Sequence, residues 1–341
     1  MYIHTVSSKP SVTSGKSPLA SRQRAEIRAE KHAQEKEPVA AEYAELHCIS
    51  NYTFLRGASH PEELVHQASA LGYRALALTD ECSMAGVVKA HVAAMECGLK
   101  LIVGSEFELD DQDIRLVLLA TNRTGYGQIC HLITEARRRA DKGAYLLRFR
   151  DLEFGLNDCL AIWLPQPLIH RLPATLSQIK HQDARYGTHH SSLHSNSNDQ
   201  YQNARAGMAL RNIFGDRLWV GLELFPDGRT FEVFQEACRL SQMLSIPQVA
   251  CGDVHMHHPD RKALQDVLSS IRIGQPVRVA GRLLQANREK HLRSRASLTY
   301  IYSPAVLAAS VDIANRCQFS LAELRYEYPP ELVPPNLSPA A

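Results

Sequence analysis

Four segments of this 341-residue chain place imidazole or carboxylate side chains directly behind apolar runs. They are Leu46-His47-Cys48-Ile49-Ser50, Leu78-Thr79-Asp80-Glu81, Gly104-Ser105-Glu106 and Gly252-Asp253-Val254-His255. Neutral imidazole nitrogen and carboxylate oxygen are the donors that zinc, manganese or iron takes, and alternate residues such as Asp253 and His255 point to one side of an extended strand. A divalent metal held by His47, Glu106, Asp253 and His255 is one reading. Simpler roles compete with it: His47 as a hydrogen-bonded rim histidine, and Asp80 as a helix cap or turn anchor. Glu106 resists such a role, because an unpaired buried carboxylate is costly and demands a cation or donors. His257 and His258, beside Pro259, read as solvated loop residues. His189, His190 and His194 lie in a polar stretch that implies no fixed geometry.

These residues need a scaffold that brings strand ends together. From Ala44 onward, short apolar runs alternate with amphipathic stretches of helical length, the pattern of βα units. Strands are predicted over Ala44–Cys48, Ala75–Leu78, Leu101–Phe107, Ile114–Ala120, Leu160–Leu164, Leu218–Leu224 and Gln248–Cys251. Helices are predicted over Pro61–Leu71, with Ser59 as its cap, and over Gly86–Cys97, Tyr126–Ala140, Phe231–Leu244, Arg261–Ile273 and Ser303–Cys317. The pattern fits an α/β fold, either a βα barrel or a doubly wound sheet; in both, polar residues at the carboxyl ends of strands converge. Residues 183 to 203, rich in His, Ser, Asn and Gln, read as a long polar insertion, and the Pro-punctuated end after residue 325 reads as a linker.

Composition narrows the partners. Lys and Arg number 38 against 36 Asp and Glu, so any nucleic-acid contact must come from a local patch, for which Arg137, Arg138, Arg139 and Lys142 are the candidates. That run falls late in a predicted helix, where cations also suit the dipole. No apolar run approaches the roughly 18 residues needed to cross a bilayer, and no membrane partner is expected. The eight cysteines form no C-x-x-C pair and read as buried thiols of a cytoplasmic protein. Residues 1 to 42 lack periodic apolar positions and read as a disordered extension without a secretory signal.

Several blocks, in order, carry a family resemblance: ELHCISNYTFLRGASHPEELVHQASALGYRALALTDECSMAGVVKA, IVGSEFEL, LVLLATNRTGYGQICHLITEARRRADKGAY and VACGDVHMHHPDRKALQDVLSSIRIGQPV. They resemble the PHP (polymerase and histidinol phosphatase) domain that opens bacterial C-family DNA polymerases, above all the error-prone, damage-inducible relatives of the DNA polymerase III alpha subunit. The resemblance covers about residues 43 to 336. It implies a distorted seven-stranded βα barrel over 43–260, then a mainly helical segment over 261–341 leading toward a polymerase body. It also implies a cluster of up to three metals at the strand ends of intact members.

The chain departs from that pattern. Intact members begin with H-x-H-S, whereas this sequence reads His47-Cys48-Ile49-Ser50; Arg56 stands where an Asp precedes Gly, Glu81 replaces a histidine, and Arg115 stands where the fourth strand carries a histidine. Glu106, Asp253 and His255 match. A multi-metal cluster needs roughly eight or nine protein ligands, and the five remaining here (His47, Glu81, Glu106, Asp253, His255) fall short. The expectation is a pseudo-active site in which Arg56 and Arg115 pair with Glu81, Glu106 or Asp253, with no catalytic residue and no cofactor in this chain. The alternative is a metal-dependent phosphoesterase or 3′-exonuclease with a single residual zinc or manganese. By resemblance, the polymerase carboxylates, served by magnesium, lie downstream of a truncated or split chain. The implied wider roles are translesion synthesis and DNA repair, with DNA, the sliding clamp and mutagenesis accessory proteins as partners through the parent enzyme.

Overall fold

The computed structural model describes residues 41–153, 155–165, 196–228 and 230–324. Seven strands form one sheet in sequential order: β1 (Ala44–Cys48), β2 (Ala75–Leu78), β3 (Lys100–Glu108), β4 (Arg115–Ala120), β5 (Cys159–Trp163), β6 (Leu218–Leu222) and β7 (Gln248–Ala250). Pairing is parallel except on either side of β4, which runs antiparallel to both β3 and β5. Beyond β7 the chain returns to β1: Val254 N–H donates to His47 O and Ile49 N–H to Val254 O, each at 2.9 Å. The sheet thereby curls into a nearly closed α/β barrel, as the sequence predicts.

Helices α1 (Pro61–Ala70), α2 (Val87–Cys97), α3 (Arg123–Arg138), α4 (Asn196–Phe214) and α5 (Thr230–Leu244) intervene between strands. Then follow α6 (Lys262–Ile273), α7 (Val277–Ala280), α8 (Arg295–Ile301) and α9 (Pro304–Arg316). The outward strand face, including Leu76, Val103, Leu118 and Val220, packs under the surrounding helices in one large apolar cluster. The inward face carries a second one, with Leu46, Ala77, Ile102, Leu119, Ile162, Trp219 and Val249, which Ile313 and Ala314 of α9 and Cys317 just after it complete. Alternation at period two thus separates two cores, and α9 seals the interior beside β1 and β7, where Ser310 Oγ accepts the Ala44 N–H at 3.1 Å.

Three local expectations are corrected. Ser59 does not cap α1: His60 is the cap, with Glu63 returning to its backbone, because Ser59 Oγ is committed to His257 N–H at 2.9 Å. Residues 196–203, predicted as polar loop, are the first turns of α4. β4 is not part of a βα repeat; a short turn after Glu108 reverses the chain, so Arg115 enters the barrel at the strand's start. Residues 1–40 of the extension predicted over 1–42, most of the polar insertion with His189, His190 and His194, and the linker after 325 lie outside the described residues.

Candidate functional site

Period-two alternation carries polar side chains upward from the inner core. Ile102 faces the interior on β3, so Glu106 does too; Val117 on β4 puts Arg115 there, and Trp219 on β6 puts Glu223 there. β1 needs an adjustment. Leu46 belongs to the inner core and Cys48 to the outer, with a register irregularity between Glu45 and Cys48, and this bulge re-aims His47 inward. The backbone is strained at three points around this end: Leu55, Cys82 and Asp253 have φ of 62°, 45° and 40°, in the left-handed region that non-glycine residues avoid. Gly252 is required sterically, since a Cβ there would lie 2.2 Å from Glu45 Oε2.

The side chains that converge are charged, buried and mutually paired. Arg56 Nη1 donates to Glu81 Oε2 at 2.5 Å, and its Nη2 reaches both Glu106 oxygens at 3.2 Å. Arg115 Nη2 donates to Glu223 at 2.9 and 3.1 Å, lies 3.5 Å from Asp253 Oδ2, and its Nε lies 3.4 Å from Glu106 Oε1. Lys290 Nζ binds Asp253 Oδ2. Both nitrogens of His47 face carboxylates, Nδ1 to Glu223 at 2.6 Å and Nε2 to Glu106 at 3.1 Å. A carboxylate only accepts, so both nitrogens donate and the ring is an imidazolium. Burial opposes that charge, but Glu223 and Glu106 outweigh it and raise the His47 pKa to about 10.

Four carboxylates (Glu81, Glu106, Glu223, Asp253) therefore meet four cations (Arg56, Arg115, Lys290, His47), and charge balances without an inorganic ion. Burial works against ionisation of Glu106 and Asp253 as well. Arg56, Arg115 and His47 nonetheless hold Glu106 well below the carboxylate range, and Lys290, His255 and Arg115 do so for Asp253. His255 is the contrasting case. Its Nε2 donates to Asp253 Oδ1 at 3.0 Å, while Nδ1 faces the amide nitrogens of Gln265 and Gln285 at 3.4 and 3.3 Å. Flanked by donors and desolvated, it stays neutral, its pKa lowered to about 3.

His47, Glu223 and Asp253 bring ligand atoms within 4.8 Å of one another, a spacing one metal ion can bridge. The donors do not fit a divalent ion as they stand. Arg115 already occupies Glu223 and Asp253, Lys290 occupies Asp253, and both His47 nitrogens are engaged. A dication there would have to displace two cations and take a proton from His47.

The structure brings His47, Arg56, Glu81, Glu106, Arg115, Asp253 and His255 together. It adds Glu223 and Lys290. Glu223 had the signal that exposed Glu106, a carboxylate at the end of an apolar strand; Lys290, 37 residues beyond Asp253 in the chain, had none. Asp80 caps no helix. Instead it accepts Ser50 N–H, Ser50 O–H and Thr53 O–H at 2.7, 2.8 and 2.7 Å, fixing the loop that carries Arg56. The basic run disperses. Arg137 donates to the carbonyls of Cys82 and Ala144, Arg139 pairs with Asp151 at 2.5 Å, and Arg138, Arg139 and Lys142 are exposed.

Residues 45–154 match the PHP domain. The chain is 48% identical over 298 residues to the error-prone DNA polymerase of Methylococcus capsulatus, covering 86% of this chain and 25% of that protein. It is 46% identical over 305 residues to that of Dechloromonas aromatica, covering 88% and 26%. The chain carries a PHP domain and aligns with one portion of the error-prone DNA polymerases. It spans about a quarter of the length of these relatives. Among solved structures, a metal-dependent phosphoesterase from Bifidobacterium adolescentis superposes with a TM-score of 0.40 at 13% identity, covering 63% of this chain and 88% of its own.

Proposed function

We propose that this chain is a non-catalytic PHP scaffold of an error-prone DNA polymerase, in which a lattice of protein cations takes the electrostatic role that metals hold in intact members. The observation that carries this reading is the pairing of Arg56 and Arg115 with Glu81, Glu106, Glu223 and Asp253, around a charged His47. Phosphodiester hydrolysis needs a polarising ion and an activated water, and here the donors of such a site are already saturated by guanidinium, ammonium and imidazolium. The barrel's role in this reading is to hold its shape and dock the polymerase body. We assign to that body, with magnesium, the DNA-directed synthesis for which the relatives are named, and to the whole enzyme DNA, a sliding clamp, accessory partners and a cytoplasmic setting. Among the described residues no helix is long and apolar enough to cross a membrane. We draw the functional boundaries at 43–260 for the barrel and 261–341 for the connecting segment.

The competing phosphoesterase or 3′-exonuclease reading has one observation in its favour, the spacing of His47, Glu223 and Asp253. An assay on phosphate monoesters and primed DNA in manganese separates the two. The scaffold reading expects no turnover above that of an Asp253→Ala variant; manganese-dependent turnover abolished by that substitution overturns it.

A further inference from the structure

Amphipathic helices of globular proteins turn their apolar stripe toward the core. α6 does the opposite. Leu264, Val267 and Ile271, at i, i+3 and i+7 on one face, are 41%, 44% and 59% exposed. The buried positions are Gln265, Ser269 and Ser270. Gln265 reaches His255 at 3.4 Å, so the polar side of α6 lies on the ion lattice at the mouth of the barrel. The apolar strip continues past the helix end, where Gly274 (φ 73°) and Pro276 turn the chain into α7: Val277, Val279 and Leu283 are also exposed. Arg278 and Arg282 stand exposed beside it.

We propose that the face formed by Leu264, Val267, Ile271, Val277, Val279 and Leu283 is the seat of the downstream portion of the same polymerase polypeptide. Two observations argue for this occupant, and a third says what its edge must carry. An inside-out helix gains nothing from its apolar residues unless something covers them. The relatives carry roughly three times as much further polypeptide as the part this chain matches, so an intramolecular occupant exists wherever this region exists. Exposed Arg278 and Arg282 flank the strip, so the surface that seats there is expected to carry carboxylates at its edge. The inference rests on the scaffold reading and sharpens it, for the ion lattice then does more than balance charge. Its polar surface is the base on which α6 lies with its apolar side outward.

The test compares amide hydrogen exchange over residues 262–283 in the 341-residue chain with exchange in a single polypeptide joining this chain to the unmatched remainder of the Methylococcus capsulatus enzyme. The same comparison is made between the intact M. capsulatus enzyme and its own matching region, so that a poorly folding chimera leaves a readable pair. The proposal expects protection over 262–283 to rise by ~10-fold or more on joining. It expects that gain to be lost in V267E/I271E and kept in F231E, which alters an exposed phenylalanine on α5. Protection gained elsewhere on the barrel and not at 262–283 overturns this surface while leaving the scaffold reading standing. No gain anywhere overturns both. Concentration-dependent protection in the 341-residue chain alone assigns the face to a second copy and overturns the proposal.

Discussion

At one end of the barrel, Ile313 and Ala314 of α9 and the adjoining Cys317 close the interior by apolar contact; at the other, Arg56, Arg115, Lys290 and His47 close it with charge. The apolar end is graded. Removing a methyl group costs the lost contact and the cavity, and the rest stays as it was. The charged end is conditional. Each ion has given up hydration, and attraction to partners offsets that loss only while the set is complete. The carboxylates of the charged end are not left bare, for the barrel surrounds them with cations of its own.

The sharpest break in that comparison is Glu106→Leu, which removes the carboxylate shared by Arg56, Arg115 and His47. Urea denaturation is expected to show a loss of about 3–5 kcal/mol, typical of stranding buried charge. A loss near zero would mean that water or rearrangement satisfies the cations. Ile313→Ala at the floor is expected to cost about 2–4 kcal/mol, with no dependence on salt or pH beyond the parent's.

Proton linkage distinguishes the ends further. The folded pKa of His47, about 10, lies above that of a free imidazole, so its contribution is complete below pH ~6.5 and declines as pH rises toward 10. His255 runs the other way: with a folded pKa of about 3 it weakens the fold as pH falls from ~6.5 toward 3. Between pH 6.5 and 7.5, below the thiol and phenol titrations, stability is expected to fall by about 1 kcal/mol, and His47→Gln to remove that slope. Denaturation midpoints at several pH values for parent and variant check this. The smallest effect concerns the basic run. Arg138→Ala and Lys142→Ala are expected within about 0.5 kcal/mol of the parent, whereas Arg137→Ala, which frees the carbonyls of buried Cys82 and half-buried Ala144, costs about 1–3 kcal/mol; thermal melts rank the three.

Much of this was legible in the residues. β1 and β2 fall where apolar runs place them, and the strand ends carry the cluster, because period-two alternation and turn residues act locally. Arg56 and Arg115 were visible as positive charges standing where the family pattern has ligands. The reversal at β4 was not, since an isolated apolar run has no direction. Glu223 stood, like Glu106, one residue before the end of its predicted strand, and was passed over although the same signal applied. Lys290 reaches Asp253 from a distant loop, and no spacing rule connects them. The inverted orientation of α6 was equally hidden, because periodicity reports that a helix is two-faced and not which face is covered.

The most direct test of the central claim is metal content by mass spectrometry, with thermal melts, on tag-free protein equilibrated with zinc or manganese and then dialysed. The account predicts far less than stoichiometric metal and a melting temperature that a chelator does not change. A stoichiometric ion lost to the chelator together with a fall in Tm would contradict it, placing inorganic charge where Arg56 and Arg115 are assigned.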